Sequence, residues 1–148
     1  IGAGSALANL GVTKYENGQL KSEATYDSIR EWHENGNPKR EVNFVNGRID
    51  GVYLTSYENG GRHAEVNYRG GQRQGESYEW YENGQLKEKS SYLDGVADGE
   101  YLGLYRAGEK RFNATYKKGK IDGLFLQWRV DGKLRLEQND KNGILVSG

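Results

Sequence analysis

The stretch Trp80-Tyr81-Glu82-Asn83-Gly84-Gln85-Leu86-Lys87-Glu88 decides the fold, because near-copies of it recur along the chain. An Asn-Gly pair between aromatic and β-prone residues is a strong hairpin signal, since both residues of a type I′ turn need positive φ. We therefore predict two strands joined by a two-residue turn at Asn83-Gly84. The register that follows pairs three sets of residues across the hairpin: Tyr81 with Leu86, Trp80 with Lys87, and Tyr78 with Lys89.

The copies repeat at a nearly fixed spacing. Their turn glycines follow one another in steps of 18, 24, 24, 24 and 24 residues: Gly18, Gly36, Gly60, Gly84, Gly108 and Gly132. A period of 20 to 50 residues indicates a repeat array. A second loop with two glycines four residues apart separates most hairpins, and its composition predicts left-handed and tight-turn conformations. The short first step lacks this loop, so we expect a tighter turn at residues 26–29.

This pattern resembles the MORN-repeat-variant family (membrane occupation and recognition nexus). It combines Tyr-Glu-Asn-Gly-Gln-Leu-Lys, an aromatic residue eight places after the turn glycine, and a Gly-x-x-Asp-Gly loop, over roughly residues 12–145. Three copies depart from it: Gly60-Gly61-Arg62-His63 lacks the leucine, Arg106-Ala107-Gly108 replaces Glu-Asn, and Asp140 replaces the last aromatic residue. The last departure indicates a degenerate C-terminal cap. The resemblance implies a protein-interaction or membrane-proximal module, and bacterial variants are often labelled antitoxins.

The predicted fold is all-β: an elongated single-layer antiparallel array of six β-hairpin repeats over residues 12–148. Residues 1–11 lack strand alternation and are predicted to be an N-terminal extension or linker. Hairpin register divides the array into two faces. One face, the predicted spine, collects aromatic and aliphatic residues, among them Leu20, Leu86, Leu134, Tyr101, Ala114, Tyr116 and Phe125. The other face carries the tryptophans among leucines and charged residues.

Composition excludes several kinds of function. The chain has 21 basic and 21 acidic residues, so nothing attracts it to nucleic acid by bulk charge. Cysteine is absent, which removes thiolate chemistry and leaves the redox compartment open. We predict no cofactor. Catalysis needs one unique constellation of side chains, whereas an array offers many equivalent sites, so a non-enzymatic protein is predicted.

Titratable residues favour structural roles. His33 and His63 occupy different hairpin positions without convergent partners, so they are predicted to be exposed and to bind no metal. Asp50, Asp98 and Asp122 precede the second loop glycine, where Asx-type hydrogen bonds would stabilise their own turns better than they would bind calcium. Glutamates such as Glu41, Glu65 and Glu88 have basic neighbours in sequence, which predicts charge pairing on a solvated face.

The tryptophans suggest a binding surface, because Trp32, Trp80 and Trp128 follow one another in steps of 48 residues. The predicted partner-binding residues are Trp32, Trp80, Trp128, Tyr57, Tyr78, Tyr81, Tyr105 and Lys87. In the alternative interpretation, each tryptophan shields the hairpin backbone and a cross-strand lysine, such as Lys87 on Trp80, packs on it.

The functional hypothesis is a non-enzymatic protein-binding or scaffolding module, antitoxin-like in its association with another protein. One alternative is a membrane-surface or lipid-headgroup binder, which would use Lys117, Lys118, Lys120, Arg69 and Arg73. A second is a carbohydrate binder that stacks sugars on the aromatic residues. The terminal strands at residues 12–15 and 144–146 also offer edges for self-association.

Overall fold

The structure, a computed structural model, describes residues 10–148, and every regular element in this range is a β-strand. No helix long and apolar enough to span a membrane occurs in this range. The chain divides into two compact units, with the boundary between Gln72 and Arg73. Residues 1–9 of the predicted N-terminal extension lie outside the described residues. The first strand begins at Gly11, one residue before the predicted start of the array.

The first unit is an antiparallel sheet with strand order β1-β2-β3-β4-β6-β7, and β5 pairs with β4. Its hairpins surround the first three turn glycines. The strands are β1 (Gly11–Lys14), β2 (Leu20–Ala24), β3 (Ser28–Trp32), β4 (Pro38–Val45), β5 (Arg48–Ile49), β6 (Gly51–Ser56) and β7 (Arg62–Arg69).

The second unit repeats this arrangement in the order β8-β9-β11-β12-β14-β15-β16, with β10 paired to β9 and β13 to β12. Its strands are β8 (Gln72–Trp80), β9 (Leu86–Leu93), β10 (Val96–Ala97), β11 (Gly99–Leu104), β12 (Lys110–Lys117), β13 (Lys120–Ile121), β14 (Gly123–Trp128), β15 (Leu134–Lys141) and β16 (Ile144–Ser147). Within each unit, the strands that lie close together in space are those that are neighbours in the sheet. The prediction of an all-β antiparallel array with six hairpins is confirmed.

The turns at the Asn-Gly pairs differ from the prediction. Gly84 has φ of 87°, whereas Asn83 is not among the residues with positive φ. The amide of Gly84 donates to the Tyr81 carbonyl (2.9 Å), and the amide of Tyr81 donates to the Gln85 carbonyl (2.8 Å). This is a three-residue loop, a type I turn closed by a left-handed glycine. The prediction of a two-residue type I′ turn is wrong. That turn needs two left-handed residues, whereas the three-residue loop needs only Gly84 in this conformation.

Type I′ turns occur instead in the second loops. Both central residues have positive φ at Asn46-Gly47 (51° and 75°), Asp94-Gly95 (49° and 83°) and Lys118-Gly119 (51° and 81°). The left-handed conformation predicted for these loops is therefore confirmed. The tight turn expected after the first hairpin lies at residues 25–28, where the Thr25 amide donates to the Ser28 carbonyl at 2.8 Å.

Each three-residue loop is followed by a β-bulge that changes the predicted register. In the β8–β9 hairpin Tyr78 pairs with Lys89, as predicted, but Trp80 pairs with Leu86 and Lys87 is the extra residue. The predicted pairs Trp80–Lys87 and Tyr81–Leu86 are wrong. Leu20 and Leu134 are likewise opposite Lys14 and Trp128. Since a one-residue shift moves a side chain to the other face, Leu20, Leu86 and Leu134 do not belong to the spine.

The most buried side chains lie in the middle of the spine face and are small. Val42 is 2% exposed and Ala114 1%, and these two are the buried hydrophobic residues of the described range. Ser77 and Ser90, which pair across β8 and β9, are also buried. So thin a core leaves much of the ordering of the hairpins to hydrogen bonds between successive repeats.

Candidate functional site

Within each unit, side-chain hydrogen bonds, mostly from tyrosine hydroxyls, join successive hairpins along the edge that carries the three-residue loops. The hydroxyls of Tyr15, Tyr81 and Tyr105 donate to the carbonyls of Trp32, Leu104 and Trp128, each at 2.8 Å. His33 occupies the same position in its repeat, and its Nε2 lies 2.8 Å from the Ser56 carbonyl. Two of the predicted partner-binding residues, Tyr81 and Tyr105, therefore use their hydroxyls inside the array.

We expect Tyr105→Phe to lower the free energy of unfolding by about 1 kcal/mol, because it removes the donor to the Trp128 carbonyl and keeps the ring. Urea denaturation of the variant and the wild type measures this. Tyr26→Phe is the matched control, since Tyr26 is 65% exposed. Equal losses in the two variants would contradict a structural role for the Tyr105 hydroxyl.

The asparagine of the repeated motif also has two structural roles. Asn83 Oδ1 accepts from the Gln85 amide within its own loop (3.0 Å), and its Nδ2 donates to the Arg106 carbonyl in the next hairpin (3.1 Å). Asn35 likewise donates to the Glu58 carbonyl at 2.7 Å. The asparagine thus stabilises its own loop and also bonds to the loop of the following hairpin.

The aspartates stabilise a neighbouring loop and not their own. Their carboxylates accept from backbone amides 20 residues further along the chain: Asp50 from Gly70 (2.9 Å), Asp98 from Lys118 (3.1 Å) and Asp122 from Asn142 (3.2 Å). The prediction of local Asx turns is wrong. The reason is the period, which places each type I′ turn beside the preceding aspartate. Within residues 10–148 no cluster of three acidic, histidine or cysteine side chains could hold a metal ion.

The histidines are also bonded within the array. His33 and His63 are both half-buried. His63 Nδ1 lies 3.0 Å from Thr55 Oγ1, and its ring centroid is 4.8 Å from that of Tyr57. The prediction that both are exposed is wrong, because the loop edge places His33 against Ser56 of the next hairpin and the bulge places His63 against Thr55 of its own hairpin.

The tryptophan face of the second unit combines aromatic and aliphatic side chains. Residues opposite one another in register share a face, and the register runs from Tyr78 through Lys89, Leu102 and Asn113 to Leu126. Trp80 and Trp128 are each two residues further along their strands, so they lie on this face. Both are half-buried, which leaves part of each ring available for a partner.

Two contacts orient these tryptophan rings. The ring of Tyr78 stacks on that of Trp80 with centroids 5.7 Å apart and an interplanar angle of 20°. Lys110 Nζ lies 5.8 Å from the centroid of Trp128. A lysine over a tryptophan ring was predicted, but the observed example involves Lys110 of the preceding repeat. A ring that is stacked on another ring or covered by a lysine is held in place without a partner. This lowers the entropic cost of binding.

In the first unit the corresponding face is more charged. Trp32 lies two residues beyond Arg30, whose register partners are Glu23 and Glu41. Arg30 pairs with Glu41 at 3.2 Å, and Arg62 pairs with Glu65 at 2.9 Å. The predicted charge pairing of these glutamates is confirmed.

Lys87 does not pair with Trp80 across the hairpin, because Trp80 pairs with Leu86. Its Nζ pairs with Glu79 Oε1 at 3.1 Å and lies 5.6 Å from the Tyr81 centroid. Glu79 and Trp80 are adjacent in β8 and so point to opposite faces. Of the predicted binding residues in the second unit, the structure brings Trp80, Tyr78 and Trp128 onto one face. Tyr81, Tyr105 and Lys87 belong to the loop edge and the bulge.

The spine face of the second unit contains a feature that the sequence did not reveal. Here an open aromatic groove of about 280 Å³ is lined by Tyr101, Phe112, Ala114, Tyr116 and Phe125. The Tyr101 ring lies 5.4 Å from Phe112 and 5.6 Å from Tyr116, tilted in both cases. Gly103, opposite Phe112, provides the necessary space, because a Cβ there would stand 2.3 Å from the Phe112 ring. The sequence signal that could have indicated this groove was Gly103, a glycine in the middle of a strand, which often marks a close approach of another group.

A polar network borders the aromatic groove. The Tyr101 hydroxyl donates to Glu88 Oε1, and Arg111 Nη2 lies 3.9 Å from Glu88 Oε2. Burial, followed by the hydrogen bond to this carboxylate, raises the pKa of the Tyr101 phenol well above its ordinary value. Tyr101 therefore remains a neutral donor throughout the physiological pH range, and Glu88 accepts from it through one oxygen while the other faces Arg111.

These features define a class of protein, a β-hairpin repeat array. A family model described as the MORN repeat variant matches residues 11–28, 29–46 and 73–94. The predicted resemblance to this family is confirmed for these three segments. Such repeats are non-enzymatic modules that interact with proteins or membranes. No curated protein matches the sequence significantly.

Proposed function

We propose that this chain is a non-enzymatic protein-binding module whose partner contacts the tryptophan face. The supporting observation is the arrangement in the second unit, where half-buried Trp80 and Trp128 share a face with Tyr78, Leu102 and Leu126. Aromatic residues at the centre of an apolar patch supply most of the binding free energy at protein interfaces. Trp32 would extend the same mode of binding to the first unit.

The partner's chemistry follows from the composition of this face. Its aromatic and leucine side chains alternate with Lys89 and Asn113, and Lys89 is paired to Glu76 at 3.4 Å. A complementary partner surface would present aliphatic or aromatic side chains with few uncompensated charges. The family resemblance implies an antitoxin-like role. In that role the partner would be a second protein held in a stable complex.

The proposal is tested by affinity capture from a lysate of the source organism, with the immobilised chain as bait. Proteins captured by the wild type should be lost with the Trp32/Trp80/Trp128→Ala variant and retained with Tyr26→Ala, which alters an exposed ring elsewhere. A captured protein that binds all three baits equally would contradict the tryptophan face as the binding surface.

A second candidate, a membrane-surface binder, is favoured by one observation. The exposed Lys117, Lys118 and Lys120 line a cleft of about 490 Å³ together with Asn142. Arg73, predicted for the same role, instead donates to the Tyr92 hydroxyl at 3.0 Å and stacks on that ring. Co-sedimentation with vesicles containing anionic lipid, lost in a Lys117/Lys118/Lys120→Ala variant, would support this function over protein binding.

A further inference from the structure

Asn-Gly pairs occur six times in the chain, and each pair can undergo a reaction of its own. The backbone amide of the glycine can attack the side-chain amide of the asparagine, because glycine has no side chain to obstruct the approach. This reaction, deamidation, requires a glycine nitrogen that is not held by another group and a peptide group that can rotate. The hydrogen bonds at the six pairs therefore decide which of them reacts.

Four of the pairs lie in three-residue loops and are held at both residues. In each, the glycine amide donates at 2.9 Å to the carbonyl three residues before it. The asparagine Oδ1 accepts from the amide two residues further on, at 2.8 to 3.0 Å. Neither group is free to move toward the other in these four pairs: Asn17-Gly18, Asn35-Gly36, Asn59-Gly60 and Asn83-Gly84.

A fifth pair, Asn142-Gly143, forms the type I′ turn between β15 and β16, with φ of 52° and 78°. The preceding repeat holds this turn through both backbone amides. The Gly143 amide donates to the Ile121 carbonyl at 2.8 Å, and the Asn142 amide donates to Asp122 Oδ1 at 3.2 Å. The nucleophile of this pair is therefore also engaged.

The sixth pair, Asn46-Gly47, forms the type I′ turn between β4 and β5 without such bonds. Within residues 10–148 neither of its backbone amides donates a hydrogen bond, and the Asn46 side chain makes none. Both residues are exposed, and no atom lies within 4 Å of the position that a Gly47 Cβ would occupy. The cause is the short first step of 18 residues, which leaves no second loop ahead of this turn to hold it.

We propose that Asn46-Gly47 is the site at which this chain deamidates spontaneously. Solvent base removes the proton of the Gly47 amide, and the nitrogen attacks Cγ of Asn46. A Cγ–N bond forms, the Cγ–Nδ2 bond breaks, and Nδ2 leaves as ammonia after taking up a proton. Water then opens the cyclic imide at either carbonyl, which leaves aspartate or isoaspartate in place of Asn46. The reaction does not depend on what the tryptophan face binds.

The product would alter the first unit beyond the turn itself. Both products add a negative charge, and isoaspartate also inserts a methylene into the main chain between the paired residues Val45 and Arg48. The adjacent Ile49 carbonyl accepts from the Gly71 amide at 2.8 Å. A distorted β4–β5 turn would therefore weaken the bond that holds the following second loop.

The rate depends on how easily each turn opens, because the peptide group must rotate before the nitrogen can reach Cγ. Opening the turn at Asn142 breaks two additional bonds, to Ile121 and Asp122. One such bond changes an equilibrium by about threefold to tenfold, so Asn46 should react about ten times as fast as Asn142 or faster. The comparison is stringent, because Asn142 adjoins β16, which pairs on one side within the described residues.

The test is a time course of the folded wild-type chain at mildly alkaline pH, followed by proteolysis and tandem mass spectrometry. Deamidation replaces NH2 by OH, so the mass of each fragment reports the state of its own asparagine. The chain in concentrated urea is the control, since the six pairs should then react at comparable rates. In the folded chain Asn46 should react first. Equal rates at Asn46 and Asn142, or faster reaction in a three-residue loop, would overturn the inference.

A matched pair of variants tests the cause. Asp122→Ala removes the acceptor of the Asn142 amide and should raise the rate at Asn142 about threefold to tenfold. Asp98→Ala removes the same kind of bond from the Lys118 amide, in a loop without asparagine, and should leave the rate at Asn142 unchanged. Far-UV circular dichroism checks that both variants fold, and the wild-type time course decides alone if one does not. An unchanged rate at Asn142 in folded Asp122→Ala would overturn the inference.

Discussion

Gly84→Val is expected to lower the free energy of unfolding by about 1 to 3 kcal/mol, the cost of forcing a β-branched residue into left-handed backbone. Gly84 has φ of 87°, and no atom lies within 4 Å of the position that a Cβ would occupy. The cost therefore comes from the backbone and not from crowding. Chemical denaturation of the variant and the wild type measures the difference.

Two control substitutions isolate the effect of φ. Gly84→Asn should cost less than Gly84→Val, since asparagine tolerates the left-handed region. Lys87→Ala removes an ion pair whose two side chains are each 35% exposed, and such pairs contribute at most about 1 kcal/mol. Equal unfolding free energies for Gly84→Val and Lys87→Ala would show that the turn at this glycine does not control folding.

Trp80→Ala is expected to weaken partner binding about 30-fold or more, because truncation of a tryptophan hot spot costs about 2 kcal/mol or more. The Trp32/Trp80/Trp128→Ala variant should lose more. Titration calorimetry with the captured partner measures both affinities. Far-UV circular dichroism is the necessary control, since Trp80 stacks on Tyr78 and its removal must not unfold the hairpin.

Salt distinguishes this surface from the charged loops. Raising the ionic strength from about 0.05 to 0.5 M shortens the Debye length from roughly 14 to 4 Å. Most of the binding should persist, because the chain has no net charge and Lys89 on the tryptophan face is paired with Glu76. Normal binding by the triple variant, together with loss of binding in salt, would assign recognition to the charged loops and the tryptophans to structural shielding.

The hairpins could be predicted because a turn glycine recurs at a regular period, with asparagine before it in four of the six copies. The turn type could not, since a two-residue loop and a three-residue loop both use asparagine and glycine at these places. No residue type in the sequence marks the position of the bulge. Its consequence is large, because it pairs Trp80 with Leu86 and moves Lys87 to the other side of the strand.

The hydrogen bonds between repeats were missed for a related reason. A bond from Tyr105 to Trp128, 23 residues away, or from the Lys118 amide to Asp98, depends on how successive repeats stack. The recurring tyrosine three places before the turn glycine was visible, and His33 in that position keeps a donor. Four of the five groove residues were predicted to share the spine face, but the groove itself was hidden because it needs Phe112 and the space left by Gly103.

The most direct test of the tryptophan face is hydroxyl-radical footprinting of the wild-type chain with and without its captured partner. No substitution is needed, because Trp32, Trp80 and Trp128 are all half-buried and open to oxidation. Binding should reduce the oxidation of the tryptophans, Trp80 and Trp128 above all, and leave the 65% exposed Tyr26 unchanged. Unchanged oxidation of all three tryptophans in a saturated complex, with protection elsewhere, would contradict the tryptophan face as the binding surface.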